Sequence, residues 1–285
     1  GGLVERIDIN FADPNTEVDG ERGHVSVPHP FFSDLRVRQA VALAVDRQTI
    51  AEQLYGDAGV ATSNVLVDPP NFASPNTSFE FNLEKAAALL NEAGWIDGNS
   101  DGVREKEGVE LQVVFQTSAN PLRQKTQEII KQALESIGFR IELKAIDSTV
   151  YFSNDPANTD TFHHFYADLQ LYTAGNSSAD PGDFMQDFTC AEIAQKANNW
   201  AKGNPMRWCN PDYDALIEQA RTELDPARRE ALFIQANDII INDVAVIPLI
   251  HRRFPNGASN TLEGIDLTPW DSSLWQVQDW VRKAQ

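Results

Sequence analysis

An α/β fold is predicted by three features of the sequence. The stretches "VELQVVFQTS", "NPLRQKTQEIIKQALESIG" and "FRIELKAID" read strand, helix, strand, the order of a right-handed parallel crossover. Two further stretches, "NPDYDALIEQARTEL" and "DPARREALFIQANDIIIND", read as helices, the second with Asp225 as cap and Pro226 at its first position. The continuous apolar run in "VAVIPLIHRR" is short enough for a buried strand and far too short to span a membrane. At 285 residues the chain can bury a sizeable core, as one large domain or two smaller ones.

The elements follow in order. "LVERIDINFA" reads as a strand, and "NTEVDGERGHVSVPHP" as a loop. Ser33 or Asp34 caps a helix whose Val37, Ala40, Val41, Ala44 and Val45 recur at helical spacing. Asp46 caps a second, short helix that ends at Gly56. The proline- and asparagine-rich "VDPPNFASPNTSFE" is an extended loop. "NLEKAAALLNEAGW" is a helix capped by Asn82 and stopped by Gly94. Residues 148–210 have little periodicity apart from a strand at "ADLQLYTA", and long irregular segments in compact domains are often functional. Trp270, Trp275 and Trp280 sit in a loop-and-strand tail.

The charge balance, 23 Lys and Arg against 42 Asp and Glu, gives −19, a surface that repels phosphate backbones and argues against a nucleic-acid partner. The two cysteines, Cys190 and Cys209, are too few for a thiolate zinc site. They lie in one loop-rich segment, and both a disulfide and two free buried thiols fit their spacing. A bridge would imply an exported protein. The five histidines form no nucleophile elbow and no His-x-x-x-His helix. His163 and His164 are adjacent, so on a strand they would point to opposite faces; a solvated or edge position is the expectation for them.

The stretch "WIDGNSDGVREKEG" offers a candidate calcium loop. Asp97, Asn99 and Asp101 fit the first, third and fifth ligand positions of an EF-hand loop, Gly102 its turn glycine, and the Val103 carbonyl the next ligand. Gly108 stands where a bidentate glutamate is required, so Glu105 or Glu107 would have to substitute. The alternative is an Asx-rich turn whose side chains bond their own backbone.

The ordered set "PFFSDLRVRQAVALAVDRQTI", "AAALLNEAGW", "LRQKTQEIIKQALESIGFRIELK", "DPGDFM", "CNPDYDALI" and "ARREALFIQANDIIINDVAVIPL" resembles the solute-binding proteins of peptide-type ABC importers. This is extracytoplasmic family 5, which includes oligopeptide-, dipeptide- and nickel-binding members. The resemblance implies the second lobe of a two-lobed, type II-like periplasmic-binding-protein fold, with a mixed sheet flanked by helices. It divides the chain into a hinge-crossing strand and loop at 1–30, the lobe itself at 31–245, and a hinge-crossing return segment at 246–285. A first lobe, with a signal sequence or lipoprotein cysteine, is expected upstream.

The resemblance also implies a role: a non-enzymatic receptor that closes on a peptide or other small polar solute and presents it to a membrane permease. A monomer is expected, outside the cytoplasm, with no required cofactor beyond the candidate structural calcium. The ligand segment is Tyr172, Thr173, Ala174, Gly175, Asn176 and Ser177, leading to Asp180-Pro181. Peptide-binding members commonly carry a tryptophan and an aspartate there, the latter for the peptide's terminal amine; Ala174 and Ser177 stand at those positions. An ammonium would lack its charged partner, so a modified peptide, a sugar or an opine-like compound fits at least as well. Trp200 and Tyr172 would stack on the ligand or serve as core, and Arg207 would bind a ligand carboxylate or an acidic neighbour. Family members carry paired cysteines around this loop, which implies a Cys190–Cys209 disulfide. The competing classes are a hydrolase using scattered carboxylates, which lacks a nucleophile–base signature, and a calcium-dependent adhesive module, which rests on the Asp97 loop alone.

Overall fold

Strand β1 (Gly2–Ile9) opens the chain, and a small ribbon of β2 (Glu17–Val18) and β3 (Glu21–Arg22) rises from the loop after it. The computed structural model describes residues 2–268, 270–271 and 273–283; the tips of the expected first and last segments, 1 and 284–285, and residues 269 and 272 lie outside the described residues. Helix α1 (Leu35–Leu43) starts at Asp34, whose carboxylate accepts the Arg36 amide. Helix α2 (Arg47–Ile50) starts at Asp46 and runs into one π turn, Ala51–Tyr55, that Gly56 ends. The three-residue β4 (Gly59–Ala61) follows.

Helix α3 (Leu83–Glu92) begins at Asn82, which accepts the Lys85 amide. It ends because Gly94, at φ +85°, takes the left-handed turn that a side chain would oppose. The ribbon β5 (Glu105–Lys106) and β6 (Val109–Glu110) leads into β7 (Gln112–Ser118). Helix α4 (Pro121–Ser136), capped by Asn120, connects β7 to β8 (Arg140–Ile146), and the two strands pair in parallel, as the strand–helix–strand pattern predicts. Short α5 (Ser148–Tyr151) precedes β9 (Leu169–Asn176), and short α6 (Gly182–Gln186) follows it. Helices α7 (Pro211–Thr222) and α8 (Pro226–Asn242) form a hairpin before β10 (Val246–Arg252), and the tail holds a last ribbon, β11 (Leu262–Glu263) with β12 (Val281–Arg282).

Six strands make one mixed sheet in the order β4-β10-β1-β9-β7-β8. β1 lies at its centre, antiparallel to both β9 and β10, while β7 is parallel to β8 and β9. The segments expected as hinge strands are therefore two of the sheet's inner strands and share the core of the body between them. One face carries Ile7, Ile9, Val113, Phe115, Leu169 and Leu249 against α1, α3 and α4. The other buries Phe165, Met185, Phe188, Tyr213, Phe233 and Ile240 beneath α6, α7 and α8. Among the described residues no helix is long and apolar enough to cross a membrane.

Candidate functional site

In open α/β sheets ligands bind outside the carboxyl ends of the parallel strands, where loops and helix N-termini converge. Here β7, β8 and β9 finish at Ser118, Ile146 and Asn176. The antiparallel register brings Gly2 opposite Asn176 and His251 opposite Val4, so β1 begins and β10 ends at the same rim. The Asn120 cap of α4 and the Asp147 cap of α5 open there too.

A charged cluster occupies this rim. Glu5 on β1 is 2% exposed, and Arg123 in the first turn of α4 is 8% exposed. Arg123 donates from Nε to Glu5 Oε2 at 3.1 Å and from Nη2 to Glu5 Oε1 at 3.3 Å, a two-point clamp on one carboxylate. Its Nη2 also reaches Thr173 Oγ1 at 2.6 Å, and its Nη1 reaches Ser118 Oγ at 2.8 Å. Arg252, at the end of β10, approaches both Glu5 Oε1 and Thr173 Oγ1 at 3.4 Å, with its side chain one-third exposed. Two guanidinium groups thus share one carboxylate, leaving one positive charge within this cluster. Burial first, and then Glu5, push the nearby Tyr55 phenol up, so it stays neutral.

A second polar layer lies beneath it on the opposite face of β1. Arg6 meets Asp8 at 3.0 Å, and Tyr172 accepts from Arg6 Nη2 and donates to Asp8 Oδ2, each at 2.7 Å. Burial alone would lower the Arg6 guanidinium, but Asp8 and Tyr172 outweigh it and hold it charged. This network fixes β1 against β9 in the interior, out of a solute's reach.

The structure does not gather the sequence-predicted ligand residues into one site. Thr173 joins the charged cluster. Ala174 packs against a small cluster of Ile146, Tyr151 and Tyr172, and Gly175 faces the Gly2 carbonyl so closely that a Cβ would collide with it. Asn176 is buried and spends its amide on the Asp68 and Ser178 carbonyls, which ties two loops together. Ser177 is exposed beside it. Tyr172 is core, one of the two alternatives the sequence left open.

Arg207 and Trp200 lie near the other end of β9, about 23 Å along an eight-residue strand. Arg207 is buried and donates to the Pro205 and His164 carbonyls, both at 2.7 Å, and its Nη1 approaches Asn10 Oδ1 at 3.5 Å. None of these partners is a carboxylate, which corrects the expected ion pair with an acidic neighbour. With no counter-ion in contact, burial lowers its guanidinium to about 10. Trp200 stacks on His164, with ring centroids 4.0 Å apart. Cys190 and Cys209 are bonded as a disulfide that closes this loop.

In the Asp97 loop, Asp97 accepts the Asp101 and Gly102 amides, Asn99 the Asp101 amide, Asp101 the Val103 amide, and Glu105 the Gly98 amide. That is the Asx-turn arrangement, and Asp101 also pairs with Arg140 at 3.4 Å. Val103 is buried among its neighbours. Among the described residues no three His, Cys, Asp or Glu side chains stand as a metal-holding group. His163 and His164 lie in a turn, not a strand, and His164 is 1% exposed, so the expectation of a solvated or edge position fails for it. A buried His29–Asp168 pair at 2.9 Å resembles the base and its orienting acid in a catalytic triad. Its second nitrogen already accepts from the Phe32 amide at 3.1 Å, so it has no free site for a proton from a nucleophile.

The local signals missed Glu5, Arg123 and Arg252 because the three lie on separate elements up to 247 residues apart. The only trace was apolar alternation broken by a lone Glu5 in a central strand.

Among similar proteins, the di/tripeptide-binding protein 1 of Pseudomonas aeruginosa is 24% identical over 281 residues, which is 95% of this chain and 48% of that protein. The oligopeptide-binding protein AppA of Bacillus subtilis is 26% identical over 87% of this chain and 44% of that protein. The chain thus spans about half the length of these curated relatives. The crystal structure of an oligopeptide binding protein from Thermus thermophilus, complexed with a pentapeptide, superposes with a TM-score of 0.73 at 26% identity, covering 88% of this chain and 42% of that one. NikZ from Campylobacter jejuni, in complex with Ni(L-His), shares the fold at a TM-score of 0.75 and 20% identity, covering 99% and 52%. Residues 3–195 match the family described as "Bacterial extracellular solute-binding proteins, family 5 Middle", and the chain belongs to that family.

Proposed function

We propose that the chain forms one wall of a solute receptor for an ABC importer, acting outside the cytoplasm and handing its solute to a membrane permease. The solute is a peptide or a related small polar molecule carrying a carboxylate. The observation that carries this reading is the rim cluster: Arg123 and Arg252 share the single carboxylate of Glu5 at the carboxyl ends of the parallel strands. The cluster's surplus positive charge, one-third exposed at Arg252, suits an anionic end group. Membership of a family of extracellular solute-binding proteins supports the transport role, and peptide-binding relatives support the solute class. Lipid anchoring through an upstream cysteine fits the same role.

The test is a binding screen with di- to pentapeptides on the polypeptide as its cell produces it, by native mass spectrometry. Retention without turnover is expected, weakened at least tenfold by amidating the peptide's carboxylate or by Arg252→Met. Turnover of any library member, or binding indifferent to both changes, overturns the proposal.

A further inference from the structure

Beyond β10 the chain runs through an exposed segment, 253–259, that is neither helix nor strand. It holds the one Asn-Gly pair of the sequence, Asn256-Gly257. Asparagine followed by glycine can react with its own backbone, because no Cβ crowds the glycine nitrogen. The reaction needs a nitrogen free of hydrogen bonds and a side chain free to turn toward it. Among the described residues the Gly257 amide has no hydrogen-bond partner. The Asn256 side chain has one, from Nδ2 to the Phe254 carbonyl at 3.0 Å, where water competes for it. The surroundings are open as well: a Cβ on Gly257 would meet nothing within 4 Å.

Comparable pairs elsewhere in the chain are restrained. Asn176, before Ser177, is buried and donates to the Asp68 and Ser178 carbonyls. Asn99, before Ser100, is fixed by accepting the Asp101 amide at 2.9 Å. In the Asp97-Gly98 and Asp101-Gly102 pairs the glycine nitrogens are engaged, donating to Glu105 at 2.9 Å and to Asp97 at 3.0 Å. Asn256-Gly257 has none of these holds.

We infer that Asn256 is a self-modification site, converted to aspartate and isoaspartate through a cyclic imide with water as the only co-reactant. The Gly257 backbone nitrogen gives up its proton and attacks Asn256 Cγ. The N–Cγ bond forms, the Cγ–Nδ2 bond breaks, and Nδ2 leaves as ammonia with that proton. Water then opens the ring: cleavage at Cγ leaves aspartate, and cleavage at the backbone carbonyl carbon leaves isoaspartate. Nothing is oxidised or reduced. The departing Nδ2 is the donor to Phe254, so that carbonyl loses its partner and faces a carboxylate instead. The Phe254 ring centre lies 5.5 Å from the Arg252 guanidinium carbon. The new negative charge therefore arises on the segment leading away from the rim cluster, in a chain already at −19. The inference does not use the transport reading.

The test is peptide mapping by mass spectrometry on the full chain, aged in neutral buffer made with heavy-oxygen water. Position 256 should take up heavy oxygen and separate into two products, aspartate and isoaspartate, while Asn99 and Asn176 stay intact. The folded chain should convert within fivefold of its rate in guanidinium chloride, since the fold does not hold the pair. Gly257→Val should slow conversion at least fivefold in both states; the open space at Gly257 accommodates the side chain, and the far-ultraviolet spectrum checks the fold. Folded-state conversion more than fivefold slower than in denaturant, aspartate as the single product, or equal conversion at Asn99 or Asn176 in the folded chain overturns the inference.

Discussion

His164 carries a stability signal through its neutral state. Its folded value of about 4 lies below the ordinary value near 6.5, because burial and then Arg207 oppose the charge. Between those values the unfolded chain binds more protons than the folded one, so stability rises with pH. The contribution is complete above about pH 6.5 and lost as pH falls toward 4, on the order of 2 kcal/mol, with His163, lowered mainly by burial, adding in the same sense. Urea midpoints measured across that range should fall with acidity, and His164→Asn should flatten the slope; an unchanged slope would mean that His164 is not the source. Little at this scale was legible beforehand. The sequence named His163, His164, Arg207 and Trp200, but a side chain's partners depend on elements that local pattern cannot place. Arg207 meets carbonyls instead of carboxylates because its left-handed backbone, φ +61°, turns it inward under the loop.

At the scale of elements the sequence was more telling. Asp34, Asp46, Asn82 and Asp225 all cap the helices they were expected to start, because capping is a contact within three residues. Short elements escaped. β4, α5 and α6 have three to five residues each, too few for a period, and owe their form to the sheet and loops around them. The loop between Cys190 and Cys209 has two 3₁₀ turns and no longer element of its own, so the disulfide and a few bonds such as those of Asn204 must hold it. Cys190→Ala with Cys209→Ala should lower stability by about 3 kcal/mol in chemical denaturation, in the chain-entropy account of a loop of this size. A loss well under 1 kcal/mol would assign the loop's order to its hydrogen bonds. Trp200 and His164 sit against this loop, so the same double variant should loosen them as well.

For the whole molecule, composition alone foretold an acidic body, and the ordered motifs foretold the mixed sheet with helices on both faces. A net charge of −19 makes the folded state repel itself. Raising ionic strength from about 0.01 M to about 0.15 M shortens the screening length from about 30 Å to about 8 Å, and the melting temperature should rise by a few degrees. A fall would mean that the ion pairs, not the surplus of acid, dominate the charge energetics. The rim cluster could not be foreseen, since it exists only once β1, α4, β9 and β10 meet. The placement of β1 has a consequence in time. Its pairing with β10 joins Val4 to His251, so the centre of the sheet stays open on one side until the long stretch between these two residues has been made. Strands paired across such a separation close late, which delays a finished fold. For a member of an extracellular family, the interval before closure is the interval in which a polypeptide can still be threaded through a membrane.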